Sequence, residues 1–212
     1  MRIRPSQTGD FASIPTRFQR SIVHALDKAA LQVNQAGTAS PSIGSSNASK
    51  QKATFTFDRV ISESEGQSDV YSCAEPLIDA FMEGMNATIL AYGQTSSGKS
   101  YTMGTDQTSA LEPQDKHRLG LIPRAVNAIF DRMRLARFAS SGAAAFSAKL
   151  SYIEIYNEEL IDLLVEDCEF RPTVQIREDK NGGILWSGLR EVKVSSAADV
   201  LRYARSVDWL VR

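Results

Sequence analysis

Hydrophobic and polar positions repeat with two different periods in the first half of the chain. Aromatic and polar residues alternate over residues 53–58, and this period of two is typical of a half-buried strand. Residues 68–85 repeat their apolar positions at helical spacing, which predicts a helix with Ser68 as its cap and with Pro76 either at a kink or in the true first turn. The predicted apolar face of this helix consists of Val70, Cys73, Leu77, Ile78, Phe81 and Met85.

The next apolar run leads into a glycine-rich turn. Residues 87–92 are apolar and partly β-branched, which predicts a strand, and residues 99–103 can start a helix. After a predicted loop at 104–119, the sequence Gly120-Leu121-Ile122-Pro123 indicates a second helix with Pro123 near its first position. The apolar face of that helix would be formed by Val126, Ile129, Phe130 and Met133.

The second half of the chain continues this alternation. Residues 146–156 are apolar in both phases of a strand, so they predict a central strand that is covered on both faces. Asn157 would cap a short helix over residues 158–164. Residues 174–177 and 184–186 flank Asn181-Gly182-Gly183, whose tolerance of positive φ predicts a hairpin. A last helix is predicted to begin at Ser196-Ala197-Ala198-Asp199, with Val200, Leu201, Ala204 and Val207 facing inward.

The segments nearest the amino terminus have weaker patterns. Arg2-Ile3-Arg4 fits the end of a strand, which Pro5 closes because it cannot donate to a ladder. The apolar positions of residues 22–33 fit either a helix or edge strands, and the pattern does not decide between them. Residues 34–52 are small and polar, which predicts a disordered surface loop. Since strands and helices alternate through the rest of the chain, the predicted fold is an α/β sheet with helices on its faces.

Composition excludes several classes of function. With 212 residues, 42% of them hydrophobic, the chain can bury one substantial core. Its net charge of −1 gives no basic field, so neither nucleic acid nor a membrane surface is an expected partner. No secretory signal and no apolar run of about 20 residues is present, which predicts a soluble intracellular protein. Cys73 and Cys168 are predicted to be packing thiols, and His24 and His117 to be surface or loop residues rather than metal ligands.

The glycine-rich turn carries the main chemical signal. It fits the phosphate-binding pattern G-x-x-x-x-G-K-[ST], in which the glycines let successive backbone N–H groups point at phosphate oxygens. Lys99 would contact the β- and γ-phosphates and Ser100 would offer its hydroxyl to Mg²⁺. The predicted phosphate-binding residues are Gly93, Gln94, Thr95, Ser96, Ser97, Gly98, Lys99 and Ser100.

Groups that would hydrolyse a bound nucleotide are harder to find. Hydrolysis needs an acidic residue at the end of an apolar strand and a group that positions the attacking water. Asp131 and Glu166 follow apolar residues, but both lie in segments with helical periodicity. The acidic residues Glu154, Glu158 and Glu159 fit helix-surface and capping roles equally well. The absence of an Asn-Lys-x-Asp segment favours adenine over guanine only weakly.

Five segments resemble motifs of the kinesin motor superfamily. Residues 93–104 resemble its phosphate-loop signature, which is longer than the general pattern. The other four are similar to family motifs and occur in the family's order: Arg2-Ile3-Arg4-Pro5 (R-x-R-P), residues 55–60 (the second strand), residues 120–125 (the helix after the loop) and residues 151–164 (S-Y-x-E-I-Y-N-E-x-x-x-D-L-L). Residues 201–205 are similar to the helix that leads to the first γ-phosphate sensor.

The resemblance implies a fold, cofactors and site residues. It implies a P-loop NTPase of α/β class, with a central mixed β-sheet and helices on both faces, which binds ATP and Mg²⁺ and moves along microtubules. Arg2, Arg4 and Pro5 would line the adenine pocket, and Tyr101 would stack on the other side of the base. Residues 93–100 would hold the phosphates, and Ser100 would be the metal ligand. No catalytic residue is assigned.

The resemblance stops near residue 206. The family's two switch motifs, N-x-x-S-S-R-S-H and D-x-A-G-S-E, do not occur in the 212 residues, and residues 207–212 diverge from the family. Residues 1–212 are therefore expected to be a partial motor domain with an incomplete fold, lacking the main microtubule-binding elements.

Three functions compete at this point. The first is a microtubule motor ATPase of the cytoplasm and cytoskeleton, present here as a truncated motor domain. The second is a non-motile nucleotide-binding remnant without ATPase activity or microtubule binding. The third, a nucleotide kinase, is disfavoured because its loop usually follows the first strand, whereas more than 80 residues precede Gly93 here. The sequence leaves subfamily, direction of movement, cargo and oligomeric state open.

Overall fold

The first sheet is an antiparallel meander near the amino terminus. The computed structural model describes residues 1–5, 23–34, 52–105, 117–165 and 172–208, with side chains as far as Ser206. Strands β1 (Val23–Ala25), β2 (Ala30–Asn34) and β3 (Lys52–Thr56) pair in the order β1-β2-β3. The alternative left open for residues 22–33 is thus decided in favour of strands, because the Asp27 carboxylate accepts the N–H groups of Ala29 and Ala30 and stabilises a turn.

The two end residues of the segment predicted as a loop, 34–52, lie in strands. Asn34 pairs with Lys52 in the ladder between β2 and β3, so the two end residues belong to strands. Residues 35–51 lie outside the described residues. The strand predicted over residues 53–58 is confirmed as β3, although the aromatic side chains of Phe55 and Phe57 are exposed.

The amino-terminal residues are bound to the segment that follows β3. Arg2 forms a parallel bridge with Ile61, and Ile3 N–H donates to the Ile61 carbonyl at 2.9 Å. A small core lies beneath this bridge, formed by Ile3, Leu31 and Val60. The prediction of a strand end at residues 2–4 is confirmed only as this single bridge.

Helix α1 (Gln67–Met82) begins two residues earlier than predicted and is capped differently. Gly66, not Ser68, is the N-cap residue, and the Asp69 carboxylate accepts the Gly66 N–H at 2.8 Å. Pro76 lies inside the helix. The buried face consists of Gln67, Val70, Ala74 and Ile78, whereas four residues of the predicted face are exposed: Cys73, Leu77, Phe81 and Met85. Cys73 is therefore not a packing thiol, and Cys168 lies outside the described residues.

The strand predicted over residues 87–92 is not paired among the described residues. Leu90 is 83% exposed and Tyr92 is 95% exposed, while Ile89 packs against the core formed by Ile61, Val70, Ala74 and Leu121. A strand exists only where a neighbour satisfies its N–H and C=O groups, and the part of the chain described here supplies no neighbour for this run.

Two helices follow this run. Helix α2 (Lys99–Met103) confirms the predicted helix start, and α3 (Leu121–Ala139) begins after the cap residue Gly120 with Pro123 as its third residue. Arg132 of α3 forms an ion pair with Asp79 of α1 at 2.6 Å. The most buried residues of α3 are Leu121, Pro123 and Ala125, and the predicted face at Val126, Ile129, Phe130 and Met133 is only half-buried.

The long strand predicted over residues 146–156 is divided in two. Strand β4 (Ala148–Leu150) pairs with β9 (Val192–Val194), and β5 (Ile153–Tyr156) pairs with β6 (Glu159–Asp162). The helix predicted over residues 158–164 is wrong. Asn157 and Glu158 have φ values of 48° and 68°, and two consecutive residues at positive φ make the two-residue hairpin turn that reverses β5 into β6.

The remaining elements follow the prediction closely. Strands β7 (Gln175–Glu178) and β8 (Ile184–Ser187) form the predicted hairpin, with Gly182 at a φ of 82° in its turn. Helix α4 (Ala197–Asp208) is capped by the Ser196 hydroxyl, which accepts the Asp199 N–H at 3.1 Å. The backbone of the first two residues of the predicted divergent tail is helical, and residues 209–212 lie outside the described residues. None of the helices in the described part of the chain is long and apolar enough to cross a membrane.

Candidate nucleotide-binding site

The predicted phosphate loop forms a tight turn in front of α2. Gly98 is the N-cap of α2 and has a φ of 95°, a left-handed conformation that favours glycine. A Cβ atom on Gly93 would lie 2.5 Å from the Ser97 hydroxyl, so the Ser97 side chain would have to move to admit it. Ser96 also has a positive φ, of 64°. Both glycines of the pattern are therefore favoured by the geometry of the turn.

Lys99 bridges the turn that it follows. Its Nζ donates to the carbonyl oxygens of Gly93 and Gln94, each at 2.8 Å. An ammonium group has three donors, of which these bonds use two, and they fix the positive charge over the turn. The turn, the fixed charge and the N-terminal end of α2 together fit a phosphate group.

Ser100 and the remaining loop residues are accessible. Ser100 is exposed as the second residue of α2, and Gln94, Thr95 and Ser96 are exposed in the turn, where a ligand can reach them. A serine hydroxyl at this position fits an oxygen ligand of Mg²⁺, which retains most of its waters when a protein binds it. No cluster of three histidine, cysteine or acidic side chains suited to a metal occurs in the described part of the chain.

Two of the residues predicted to line the adenine pocket, Arg2 and Arg4, contact α2 and the loop respectively. The Arg2 guanidinium lies over the Tyr101 ring, 5.1 Å from its centre, and Arg4 Nη1 donates to the Ser96 carbonyl at 2.7 Å. Pro5 follows and is exposed. The structure thus brings Arg2 and Tyr101 together and anchors Arg4 to the loop.

Arg2 is held by further polar contacts. Its Nη1 donates to the Thr102 hydroxyl at 2.7 Å and to Gln67 Oε1 at 3.0 Å. Burial lowers the pKa of Arg2 below its usual value, and the neighbouring Tyr101 side chain opposes that shift. Because arginine begins from a very high pKa, the guanidinium stays charged at neutral pH.

Gln67 is a site residue that the sequence analysis missed. It is 2% exposed, and its Nε2 donates to the Tyr101 carbonyl at 2.6 Å. A signal for it exists in the sequence, since Gln67 shares the helical spacing of Val70, Ala74 and Ile78 and is thus a polar residue on a buried face. Buried polar side chains of this kind are held by hydrogen bonds.

The acidic residues considered for hydrolysis occupy other positions. Asp131 lies on α3 and accepts a hydrogen bond from Arg134 at 2.9 Å, so it is part of a surface ion pair. Glu154 and Glu159 lie on β5 and β6, with Glu158 in the turn between them, and Glu166 lies outside the described residues. Glu154, Glu158 and Glu159 therefore lie in a hairpin and do not have the helix-surface and capping roles considered for them.

Comparisons with known proteins agree with this geometry. The family model described as the kinesin motor domain matches residues 3–208. Kinesin-like protein Klp61F of Drosophila melanogaster is 38% identical over 157 residues, which are 73% of this chain and 14% of that protein. Chromosome-associated kinesin KIF4 of Xenopus laevis is 43% identical over 149 residues, which are 70% of this chain and 12% of that protein.

A solved structure supports the same relationship. The structure of a fast kinesin aligns with a TM-score of 0.74 at 31% identity, over 97% of this chain and 51% of that chain. This likeness confirms the predicted P-loop NTPase fold of α/β class. The chain spans about half of that solved chain, and a much smaller share of the curated relatives' length.

Proposed function

Since the chain belongs to the kinesin motor domain family, we propose that its 212 residues form the ATP-binding part of a microtubule motor. The observation that carries this proposal is the Lys99 ammonium, fixed over the turn by the Gly93 and Gln94 carbonyls. A fixed charge and a turn of glycines stabilise a polyphosphate without reorganisation when it binds. ATP is therefore the proposed ligand of residues 93–100, with Ser100 as the proposed protein ligand of Mg²⁺.

The base is proposed to bind beside the pair formed by Arg2 and Tyr101, because their separation of 5.1 Å leaves no room for a base between them. The aromatic ring of Tyr101 offers a stacking face, and the guanidinium of Arg2 and the exposed ring of Pro5 lie on the amino-terminal side. Arg4, bound to the Ser96 carbonyl, would keep that side close to the phosphate loop. Bound Mg²⁺ would neutralise charge on the phosphates, while the residues of this chain bind and orient the nucleotide.

We further propose that these 212 residues bind ATP without hydrolysing it at a useful rate. Phosphoryl transfer depends on groups that position water and stabilise charge at the γ-phosphate, and neither switch motif of the family occurs in this sequence. The longer protein of which such a domain is part would be the motor, acting at microtubules in the cytoplasm. The second candidate, a non-motile nucleotide-binding remnant, rests on the same missing motifs.

Binding of MgADP, measured by isothermal titration calorimetry, tests the proposed ligand. Lys99→Ala should weaken binding at least about tenfold, because a hydrogen bond to a charged group contributes about 1.5–3 kcal/mol. Lys180→Ala, in the exposed turn of the β7–β8 hairpin, is the matched control and should leave the affinity unchanged. Equal binding by the Lys99→Ala protein would refute the proposed site.

The same protein tests the proposed lack of turnover. ATP hydrolysis is measured with and without microtubules, and no rate above background is expected. Microtubule-stimulated hydrolysis by the pure chain would show that these residues suffice for the reaction, and would overturn both the inactive fragment and the remnant.

A further inference from the structure

We propose that Gln67 is a positioning residue for the base side of the nucleotide site. The proposal rests on the proposed ATP binding and adds a residue outside the phosphate loop and outside the predicted adenine pocket. Gln67 is the first residue of α1, and α1 itself contributes no residue to the predicted site.

Both ends of the Gln67 amide are used, and they contact two different parts of the site. Its Nε2 donates to the Tyr101 carbonyl at 2.6 Å, and its Oε1 accepts from Arg2 Nη1 at 3.0 Å. These bonds span 34 and 65 residues of sequence. One buried side chain therefore joins the amino-terminal segment, which carries the Arg2 guanidinium, to α2, which carries the Tyr101 ring.

The Tyr101 carbonyl needs a partner from outside its helix. Helix α2 ends at Met103, and the N–H groups of Gly104 and Thr105 both donate to the Ser100 carbonyl. The Tyr101 carbonyl is thus one of the last-turn carbonyls that a helix cannot satisfy by itself. Gln67 satisfies it from α1 and thereby fixes the end of a helix of only five residues.

Arg2 depends on the same amide. Its Nη1 also donates to the Thr102 hydroxyl, so Gln67 and Thr102 hold one guanidinium from two helices. An arginine side chain has many rotamers, and its position over the Tyr101 ring requires such contacts. Removal of Gln67 should therefore loosen Arg2 and Tyr101 together, while the contacts of Lys99 with the loop carbonyls stay intact.

This arrangement predicts separate effects on the two halves of a nucleotide. Gln67→Met keeps the volume of the side chain but removes both hydrogen bonds. We expect it to weaken MgADP binding about tenfold, the equivalent of one lost hydrogen bond to a charged group or two neutral bonds. Binding of inorganic tripolyphosphate with Mg²⁺, which has no base, should change less than about twofold, since no phosphate contact is removed.

A purely structural role would give a different result. Ile78→Ala removes a buried side chain from the same face of α1, but at a position away from α2, and serves as the control. It should lower the melting temperature without changing the ratio of ADP to tripolyphosphate affinity. Gln67→Glu keeps an acceptor for Arg2 but loses the donor to Tyr101, so it should recover part of the ADP affinity lost in Gln67→Met.

The decisive experiment is a double-mutant cycle on the 212-residue chain. MgADP and Mg-tripolyphosphate are titrated into the wild type, Gln67→Met, Tyr101→Ala and the double variant. If Gln67 acts through Tyr101, the double variant should lose little more MgADP affinity than the Tyr101→Ala variant alone. Fully additive effects, or an unchanged ADP affinity in Gln67→Met, would overturn the positioning role while leaving nucleotide binding intact. A wild type that binds neither ligand would overturn the proposed function and this inference with it.

Discussion

The phosphate loop and the β7–β8 hairpin are both turns, but different parts of the chain hold them in place. The loop is anchored by Arg4, 92 residues away from Ser96, and the helix behind it by Arg2, 100 residues away from Thr102. The hairpin turn is closed by Asp179, whose carboxylate accepts the N–H groups of Asn181 and Gly183. The first turn therefore has distant contacts in addition to the local ones of Lys99, whereas the second is specified within five residues.

The residues behind the phosphate loop are also more deeply buried than those of the β7–β8 hairpin. Gln67 and Ile61 are almost inaccessible behind the loop, while Ile176, Leu185 and Trp186 of the hairpin are about half exposed. A change behind the loop should therefore affect the nucleotide site and the overall stability together. A substitution in the hairpin should affect only the hairpin, and not the nucleotide site.

The largest effect is expected where two backbones touch behind the loop. A Cβ atom on Gly120 would overlap the backbone of Gly104 and lie 2.7 Å from the Met103 carbonyl carbon. Because backbone cannot move aside as a side chain can, Gly120→Ala should lower the free energy of unfolding by about 3 kcal/mol or more. Urea unfolding followed by circular dichroism measures the change.

Gly182→Ala in the hairpin turn is the control for this substitution. Gly182 has a φ of 82°, and the nearest atom to an added Cβ is Glu178 Oε1 at 3.7 Å. Only the strain of the positive φ remains, about 1 kcal/mol. If Gly120→Ala proved as mild as Gly182→Ala, the contrast between the two regions would fail.

An intermediate effect is expected from removing one arginine in each region. Arg2→Ala leaves Gln67 and Thr102 without their shared donor in a half-buried place, which should cost about 2 kcal/mol of stability. Arg177→Ala removes only a contact with the neighbouring Gln175 side chain on the surface, and should cost less than about 0.5 kcal/mol.

Thermal melts of the two arginine variants, with and without MgADP, measure this contrast. The shift that ADP produces should shrink in Arg2→Ala and stay unchanged in Arg177→Ala. Equal losses in the two variants would mean that the distant contacts of the loop stabilise it no more than local ones do.

The smallest effect is expected at the start of α4, whose cap is as local as the hairpin turn. The Ser195 hydroxyl donates to the Asp199 carboxylate at 2.8 Å and, with the Ser195 N–H, lowers the pKa of Asp199 to about 2. Asp199 thus binds a proton more readily in the unfolded chain than in the folded one. The stabilisation of the folded chain by the ionised Asp199 carboxylate is therefore complete above pH 4 and is lost as the pH falls towards 2.

Unfolding midpoints of the wild type and Asp199→Asn, measured between pH 2 and pH 5, test this effect. The wild type should lose more stability than the variant over that range, and Ser195→Ala should reduce the loss, because it makes the pKa shift of Asp199 smaller. MgADP affinity at neutral pH should be unchanged in both variants. Parallel pH profiles would contradict the assigned pKa shift.

The same division between local and distant contacts explains what the sequence could predict. Asn181-Gly182-Gly183 carries its own turn chemistry, so the β7–β8 hairpin was predicted correctly. The phosphate loop was predicted because its glycines and Lys99 lie within one short pattern. Asn157 and Glu158 also make a turn, but the helical spacing of the apolar residues after them gave the wrong prediction of a helix.

Distant contacts account for the other errors. Residues 87–92 have the composition of a strand, yet a strand requires neighbours that no local pattern supplies. Gln67 was missed because a glutamine at the start of a helix is ordinarily a surface residue, and only the positions of Arg2 and Tyr101 give it a role. Ser68 was preferred as the cap because serine caps helices often, although Asp69 made Gly66 the better start.

The contact between Gly104 and Gly120 also has an evolutionary consequence. It clamps together the two ends of the connection from α2 to α3, so the positions of these helices do not depend on how many residues lie between them. Doubling the length of a flexible connection costs only about 0.6 kcal/mol of chain entropy. The connection between Gly104 and Gly120 is therefore a place where a lineage can add or remove sequence, and where an engineer can insert a tag, at little cost to the fold.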